Sequence, residues 1–240
     1  MPYYENNETT PARIYLQPLA APSILGLYAL AGSTFMLAAH AAGWFGRPGI
    51  TAVYLWPFVS MLGIAQFLAG MWAFKARDGL ATALHGVWGS FYIAFGVLMV
   101  EFLNGRLPVP GGAFPEAGFY FIVLAAISWM LAWAAIGESV LMTLTCAFLA
   151  AGSTIEAIAW MTGIQGGLQL AGGWVFVAAS FCAWYTASAL TLKESFGRTV
   201  LGIGKLGRAK EAPVVETGTG EPGVVRGQSM PLMPQPEASH

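Results

Sequence analysis

Residues 80–102 read LATALHGVWGSFYIAFGVLMVEF, with no lysine or arginine and one carboxylate, near the far end. A helix rises 1.5 Å per residue, so about 20 residues cross the ~30 Å hydrocarbon core of a bilayer. A stretch this long and this apolar reads as a transmembrane helix. Five more runs of similar length lie at about 24–44, 53–74, 118–137, 139–161 and 170–192, again without lysine or arginine. In lipid the backbone must satisfy its own hydrogen bonds, which leaves helices or closed barrels. The apolarity is continuous, whereas a barrel strand alternates. The reading is an all-α integral membrane protein with six transmembrane helices.

Composition agrees. Of 240 residues, 56% are hydrophobic and 10% charged, against about 25% charged in soluble domains. Eleven basic and twelve acidic residues give net −1, so there is no basic field for nucleic acid. Cys146 and Cys182 lie in apolar runs, a pattern of neither a disulfide framework nor a zinc site. They read as small buried hydrophobes.

Between and around the runs lie polar segments. Residues 1–20 have no basic start followed by a short apolar core, so they read as an arm and not a cleaved signal. Turns are expected at residues 46–49, 75–79 and 137–139, a longer loop at 103–117, and a glycine break before the sixth helix. Apolar periodicity ends after 194, and residues 206–240 are expected to form a disordered tail. The organisation is therefore an arm (1–20), a membrane domain (21–205) and a tail (206–240). With the N-terminus inside, Arg13, Lys75, Arg77, Lys193, Arg198, Lys205, Arg208 and Lys210 are cytoplasmic, and only Arg47 and Arg106 are outside. That bias puts both termini in the cytoplasm and suggests the cytoplasmic membrane of a cell.

Polar residues inside spans are expensive in lipid and therefore informative. Glu101 and Glu156 lie near the outer ends of their helices and Glu138 in an inner turn; all three read as solvated interface groups. His40 and Gln66 read as interhelical hydrogen-bond partners. His85 precedes Trp88 by three residues and shares its helix face. It can bind a carboxylate or bond a neighbouring backbone carbonyl. Small residues recur at Ala179, Ala183 and Ala187, at Gly86 and Gly89, and at Gly63 and Gly70. They suit close helix packing, within one chain or between subunits. No nucleophile–base set and no His/carboxylate pair at helical spacing suggests an enzyme or a metal. No catalytic residue, cofactor or metal is expected.

Residues 194–204, ESFGRTVLGIG, closely resemble the segment after the last helix of the acetate uptake transporter family, which includes bacterial acetate/succinate permeases. PSILGL at 22–27 resembles that family's opening signature, with Ala21 in place of its Asn and Ile24 in place of its second Pro. Ser33-Thr34, residues 40–43 (HAAG), residues 63–70 (GIAQFLAG) and residues 88–91 (WGSF) fall in the same order. Residues 84–86, LHG, depart from the family's pattern. The resemblance covers about 21–205. It implies a homo-hexameric ring in the bilayer, each protomer with its own path for acetate and similar monocarboxylates, possible succinate passage, and either passive or proton-coupled transport. It implies a hydrophobic constriction at Leu30, Trp88 and Leu149, and a size-determining position at Ala183. Pro22, Ser23, Gly26 and His85 are the substrate-binding candidates.

Such a path makes physical sense. Helices one, three and five would start in the cytoplasm, with N–H groups and positive dipole ends that attract a carboxylate. Pro22 suits a first turn and Ser23 can cap it. At the constriction the solute sheds water, which favours the protonated acid over the anion. Uptake is then expected to fall as pH rises. Two other functions fit the same architecture: a channel for ammonia or an amide, and a membrane sensor or scaffold without flux.

Overall fold

A computed structural model describes residues 20–44, 52–164 and 166–205, with two short strands beyond them. The six expected helices are present: α1 (Pro22–Ala41), α2 (Ala52–Lys75), α3 (Gly79–Leu103), α4 (Pro115–Ala135), α5 (Val140–Thr162) and α6 (Gly166–Phe196). Each is long and apolar enough to cross a membrane, and the chain is an all-α multi-pass membrane protein. Strands β1 (Val214–Val215) and β2 (Val224–Val225) pair antiparallel within the expected tail. The rest of that tail, the arm up to residue 19 and the turn at 46–49 lie outside the described residues.

Local chemistry sets the helix ends. Pro22 and Pro115 open α1 and α4, where a missing N–H costs nothing. The Asp78 carboxylate caps α3 by accepting from the Ala81 amide at 3.0 Å, and Ser139 caps α5 by accepting from the Met142 amide at 3.2 Å. Gly163, at φ +71°, closes α5 in the left-handed conformation. The longest departure is α6. Its apolar run spans 170–192, but the helix begins at Gly166 and continues to Phe196, because glycines at its start do not stop a helix packed along its length.

The helices close a ring in chain order, α1 against α2, α2 against α3, α4 against α5, α5 against α6 and α6 back against α1, with a lighter α3–α4 contact. Small residues make the close approaches possible. A Cβ on Gly89 would stand 2.6 Å from the Phe67 amide nitrogen and 2.9 Å from the Gly63 carbonyl. Ala179, Ala183 and Ala187 are fully buried within the single chain. Gly63, Gly70, Gly89 and the Ala179, Ala183 and Ala187 stripe therefore serve packing inside the protomer. Lipid-compatible side chains point outward, Trp133, Met130 and Phe74 among them.

After α6 the chain crosses back over the start of α5. The Val140 amide donates to the Gly204 carbonyl at 2.7 Å and the Leu141 amide to the Ile203 carbonyl at 3.3 Å. The resemblance-bearing segment thus has a structural role, since together with Ser139 it takes up the free amides of the first turn of α5. The two ends of the bundle meet as well, since the Ala21 amide donates to Glu194 Oε1 at 3.4 Å. We call this side the terminal face and the opposite side the distal face.

Candidate functional site

Two cavities open along the interior of the ring. The terminal cavity, about 250 Å³, is lined at the starts of α1, α3 and α5 and the end of α6, by Ser23, Asp78, His85, Glu138 and Thr186 among others. The distal cavity, about 50 Å³, is lined by His40, Trp56, Glu156, Trp160, Gln169 and Phe176 among others. Both exceed the ~10–15 Å³ that one water requires.

A seven-residue register relates them. On α1 it runs Ser23, Leu30, Leu37; on α3, Ala81, Trp88, Phe95; on α5, Met142, Leu149, Glu156. On the oppositely directed α6 it runs Leu190, Ala183, Phe176. In all four helices the first member lines the terminal cavity and the last lines the distal cavity. The middle members, Leu30, Trp88, Leu149 and Ala183, line neither cavity, are fully buried and belong to one apolar cluster. Seven residues rise about 10.5 Å, and two near-whole turns return each side chain to the same helix face. The interior is thus wet-sized at each end, with a dry layer between.

Trp88 is the most constrained member of that layer. Its ring lies edge-on to Phe91 at 5.5 Å and to Phe176 at 6.1 Å, and tilted against Tyr92 at 5.6 Å. Its Nε1 donates to Ser128 Oγ at 3.0 Å. Behind it, the Thr34 and Tyr92 hydroxyls share a buried hydrogen bond of 2.6 Å. Thr34 was marked by the resemblance, whereas Ser128 and Phe176 carried no signal as isolated residues; the shared register would have found Phe176.

His85 faces the terminal cavity one helical turn below Trp88. Neither ring nitrogen has a protein partner among the described residues, so the alternative of a histidine tied to a backbone carbonyl does not hold. Gly26 makes room for it: a Cβ there would overlap the imidazole. Ser23 and His85 therefore line one cavity, while Gly26 lies against the His85 ring without lining it. Pro22 occupies the first turn of α1 but does not line the cavity.

Several expectations need correction. Ser23 does not cap α1; Ala21 holds that position, without a side-chain cap. The three helix starts are not equivalent anion sites, because the first-turn amides of α5 are already bonded and the Asp78 carboxylate holds one at α3. Asp78 and Glu138 also bring acidic groups to the terminal cavity, where Glu138 is part-buried. The start of α1 also has a carboxylate beside it, since Glu194 accepts from the Ala21 amide at 3.4 Å. Gln66 is fully buried, and neither end of its amide finds a partner among the described residues. His40 meets Trp56 edge-on at 5.2 Å, a ring contact in place of the expected hydrogen bond. Glu156 is not a solvated interface group: it is 3% exposed and faces the distal cavity. Glu101 does sit at the interface, paired with Arg106 at 3.0 Å. Cys146 and Cys182 are free and buried, as expected.

The sequence model of the GPR1/FUN34/yaaH family matches residues 5–202. The succinate-acetate/proton symporter SatP of Escherichia coli K12 is 29% identical over 192 residues, covering 78% of this chain and 96% of that protein. The ammonia transport outward protein 2 of Saccharomyces cerevisiae is 26% identical over 175 residues, 71% of this chain and 61% of that one. A solved structure of the bacterial acetate channel SatP shares the fold at a TM-score of 0.68 and 22% identity, covering 78% of this chain and all of the other.

Proposed function

The chain belongs to the GPR1/FUN34/yaaH family, and on that premise we propose that it carries acetate and similar small monocarboxylates across the cytoplasmic membrane. The observation that carries this reading is the three-layer interior, two cavities with a few polar groups in mainly apolar walls, held apart by one apolar layer in register on four helices. A relative named for succinate, acetate and protons supports the substrate class.

In this reading the terminal face is cytoplasmic, as the basic residues near the spans favour. A carboxylate enters the terminal cavity beside the start of α1, where Ser23 offers a hydroxyl and His85 offers imidazole nitrogens without partners among the described residues. Gly26 seats the imidazole there, and Pro22 sets the first turn. Leu30, Trp88 and Leu149 form the constriction, and Ala183 opposite them limits solute size. The membrane domain is residues 21–205, and the assembly is a homo-hexamer with one path per protomer.

The apolar layer decides which form crosses. Removing a full charge from water is far more costly than removing a neutral acid. Passage as the acid, or as anion with a proton, is favoured, so uptake falls as pH rises. The test is stopped-flow light scattering on proteoliposomes challenged with acetate, propionate, acetamide or methylammonium. Protein-dependent entry of the two carboxylates alone supports the reading. Entry of methylammonium or acetamide without acetate transfers the path to ammonia-like or amide solutes. No entry of any solute into vesicles holding folded protein indicates a sensor or scaffold.

A further inference from the structure

We propose that Glu156 makes the distal cavity a carboxyl-binding site in which solute and side chain hold one proton between them. The proposal rests on the carboxylate-transport reading and adds a residue and a stoichiometry to it.

The geometry singles out one oxygen. Glu156 Oε2 accepts from Trp160 Nε1 at 3.0 Å. Oε1 is buried with no partner among the described residues. The absent side chain of Gly172 leaves space for it; a Cβ on Gly172 would stand 2.7 Å from Oε1. An unpaired buried oxygen loses its hydration without replacement, a cost of about 1–3 kcal/mol or more for a charged group. A solute that supplies the missing hydrogen bond recovers it. Glu156 is also the third member of the α5 register, directly beyond Leu149. A solute leaving the apolar layer on the distal side meets it.

The partner chemistry follows from the donor set. Two carboxylates in contact cannot both stay ionised in a confined site. One proton between them turns repulsion into a charge-assisted O–H···O⁻ bond, the strong kind. The proton count is the same by either route. A neutral acid can meet the Glu156 carboxylate, or an anion can meet protonated Glu156; the complex contains two carboxyl groups and one proton. No covalent bond changes and no co-reactant is needed.

The surroundings leave the proton to this pair. Facing Glu156 across the cavity are His40 from α1, Trp56 from α2, Phe95 and Met99 from α3, Phe121 from α4 and Gln169 from α6. His40 is the other titratable group among the described lining residues, and no lysine, arginine or aspartate is among them.

The experiment measures the half-saturating concentration for acetate uptake from pH 5 to pH 9 in proteoliposomes, with protein-free vesicles subtracted. Wild-type protein, Glu156→Gln and His40→Gln are compared. In wild type the half-saturating concentration rises toward tenfold per pH unit once both carboxyl groups are ionised before they meet. In Glu156→Gln the amide donates without a proton, so the rise disappears and the two proteins differ by tenfold or more at the alkaline end. His40→Gln keeps the wild-type slope. Parallel profiles for wild type and Glu156→Gln overturn the proposal, as does a slope that follows His40 instead. Infrared difference spectra give a readout that does not depend on the variant's flux. Adding carboxyl-labelled ¹³C-acetate to wild type changes a protonated-carboxyl band that the isotope does not shift; absence of that change also overturns the proposal. Wild-type flux equal to empty vesicles at every pH fails the transport reading itself, whereas intact flux with parallel profiles fails the Glu156 site alone.

Discussion

Replacing Trp88 by alanine tests the apolar layer where it is thickest. The indole is fully buried and braced by Phe91, Tyr92 and Phe176. Truncating such a side chain costs about 3–5 kcal/mol of stability. Ser128, which accepts from Nε1 at 3.0 Å, loses its partner, adding up to about 1–3 kcal/mol unless water reaches it. The same void shortens the dry segment between the cavities. If one water now accompanies the solute, it restores a hydrogen bond to a charged group, worth roughly 1.5–3 kcal/mol. Each 1.36 kcal/mol is tenfold in rate, so the crossing step accelerates by about 10- to 150-fold. The assay is initial entry of labelled acetate into proteoliposomes, with elution volume and melting temperature recorded for both proteins. The expected result is a lower melting temperature with faster entry. Entry unchanged or slowed, from protein that elutes as wild type, shows that Trp88 does not form the barrier.

Further predictions concern single contacts. Gly26→Ala forces the His85 imidazole aside; the half-saturating concentration for acetate is expected to rise severalfold, and wild-type kinetics would contradict a His85 role. Asp78→Ala removes the cap on the Ala81 amide and should cost about 0.5–2 kcal/mol, read as a lower melting temperature. Ending the chain after residue 202 removes the two carbonyls that hold the Val140 and Leu141 amides. At about 0.5–1.5 kcal/mol per bond that loss is roughly 1–3 kcal/mol, whereas ending it after residue 205 keeps both bonds. Equal melting temperatures for the two truncations would show that the crossing segment does not support α5.

The spans were legible because lipid leaves a chain few options. Residues 80–102 announce a helix by length and apolarity alone, and the structure gives Gly79–Leu103. Ends were less legible because caps and tertiary contacts set them; α6 gains a turn at each side of its apolar run. Within the site, the resemblance pointed to Leu30, Trp88, Leu149 and Ala183, and these share one buried layer. Reading residues singly failed for Glu156. A glutamate near a helix end looks solvated until the neighbouring helix is known, and here α6 presents Gly172 to it. Ser23 misled for a related reason: a serine in a first turn resembles a cap, but the turn begins two residues too early for it to act. The helix-start argument failed on α5 because residues 203–204, distant in sequence, take up its amides. The seven-residue register was present in the sequence throughout, and becomes visible once the four helices are known to surround one axis.

If a carboxylate crosses each protomer through the layer at Leu30, Trp88 and Leu149, the decisive quantity is protein-dependent flux. It is measured as entry of labelled acetate into wild-type proteoliposomes, less entry into empty liposomes, at pH 5.5 and pH 7.5 with excess propionate as competitor. The expected result is protein-dependent entry, suppressed by propionate and slower at pH 7.5. The slowing should not exceed the ~100-fold fall in neutral acid for a carboxyl that titrates near ~4.3. Entry equal to that of empty liposomes at both pH values, from folded protein, would contradict a carboxylate path through this layer.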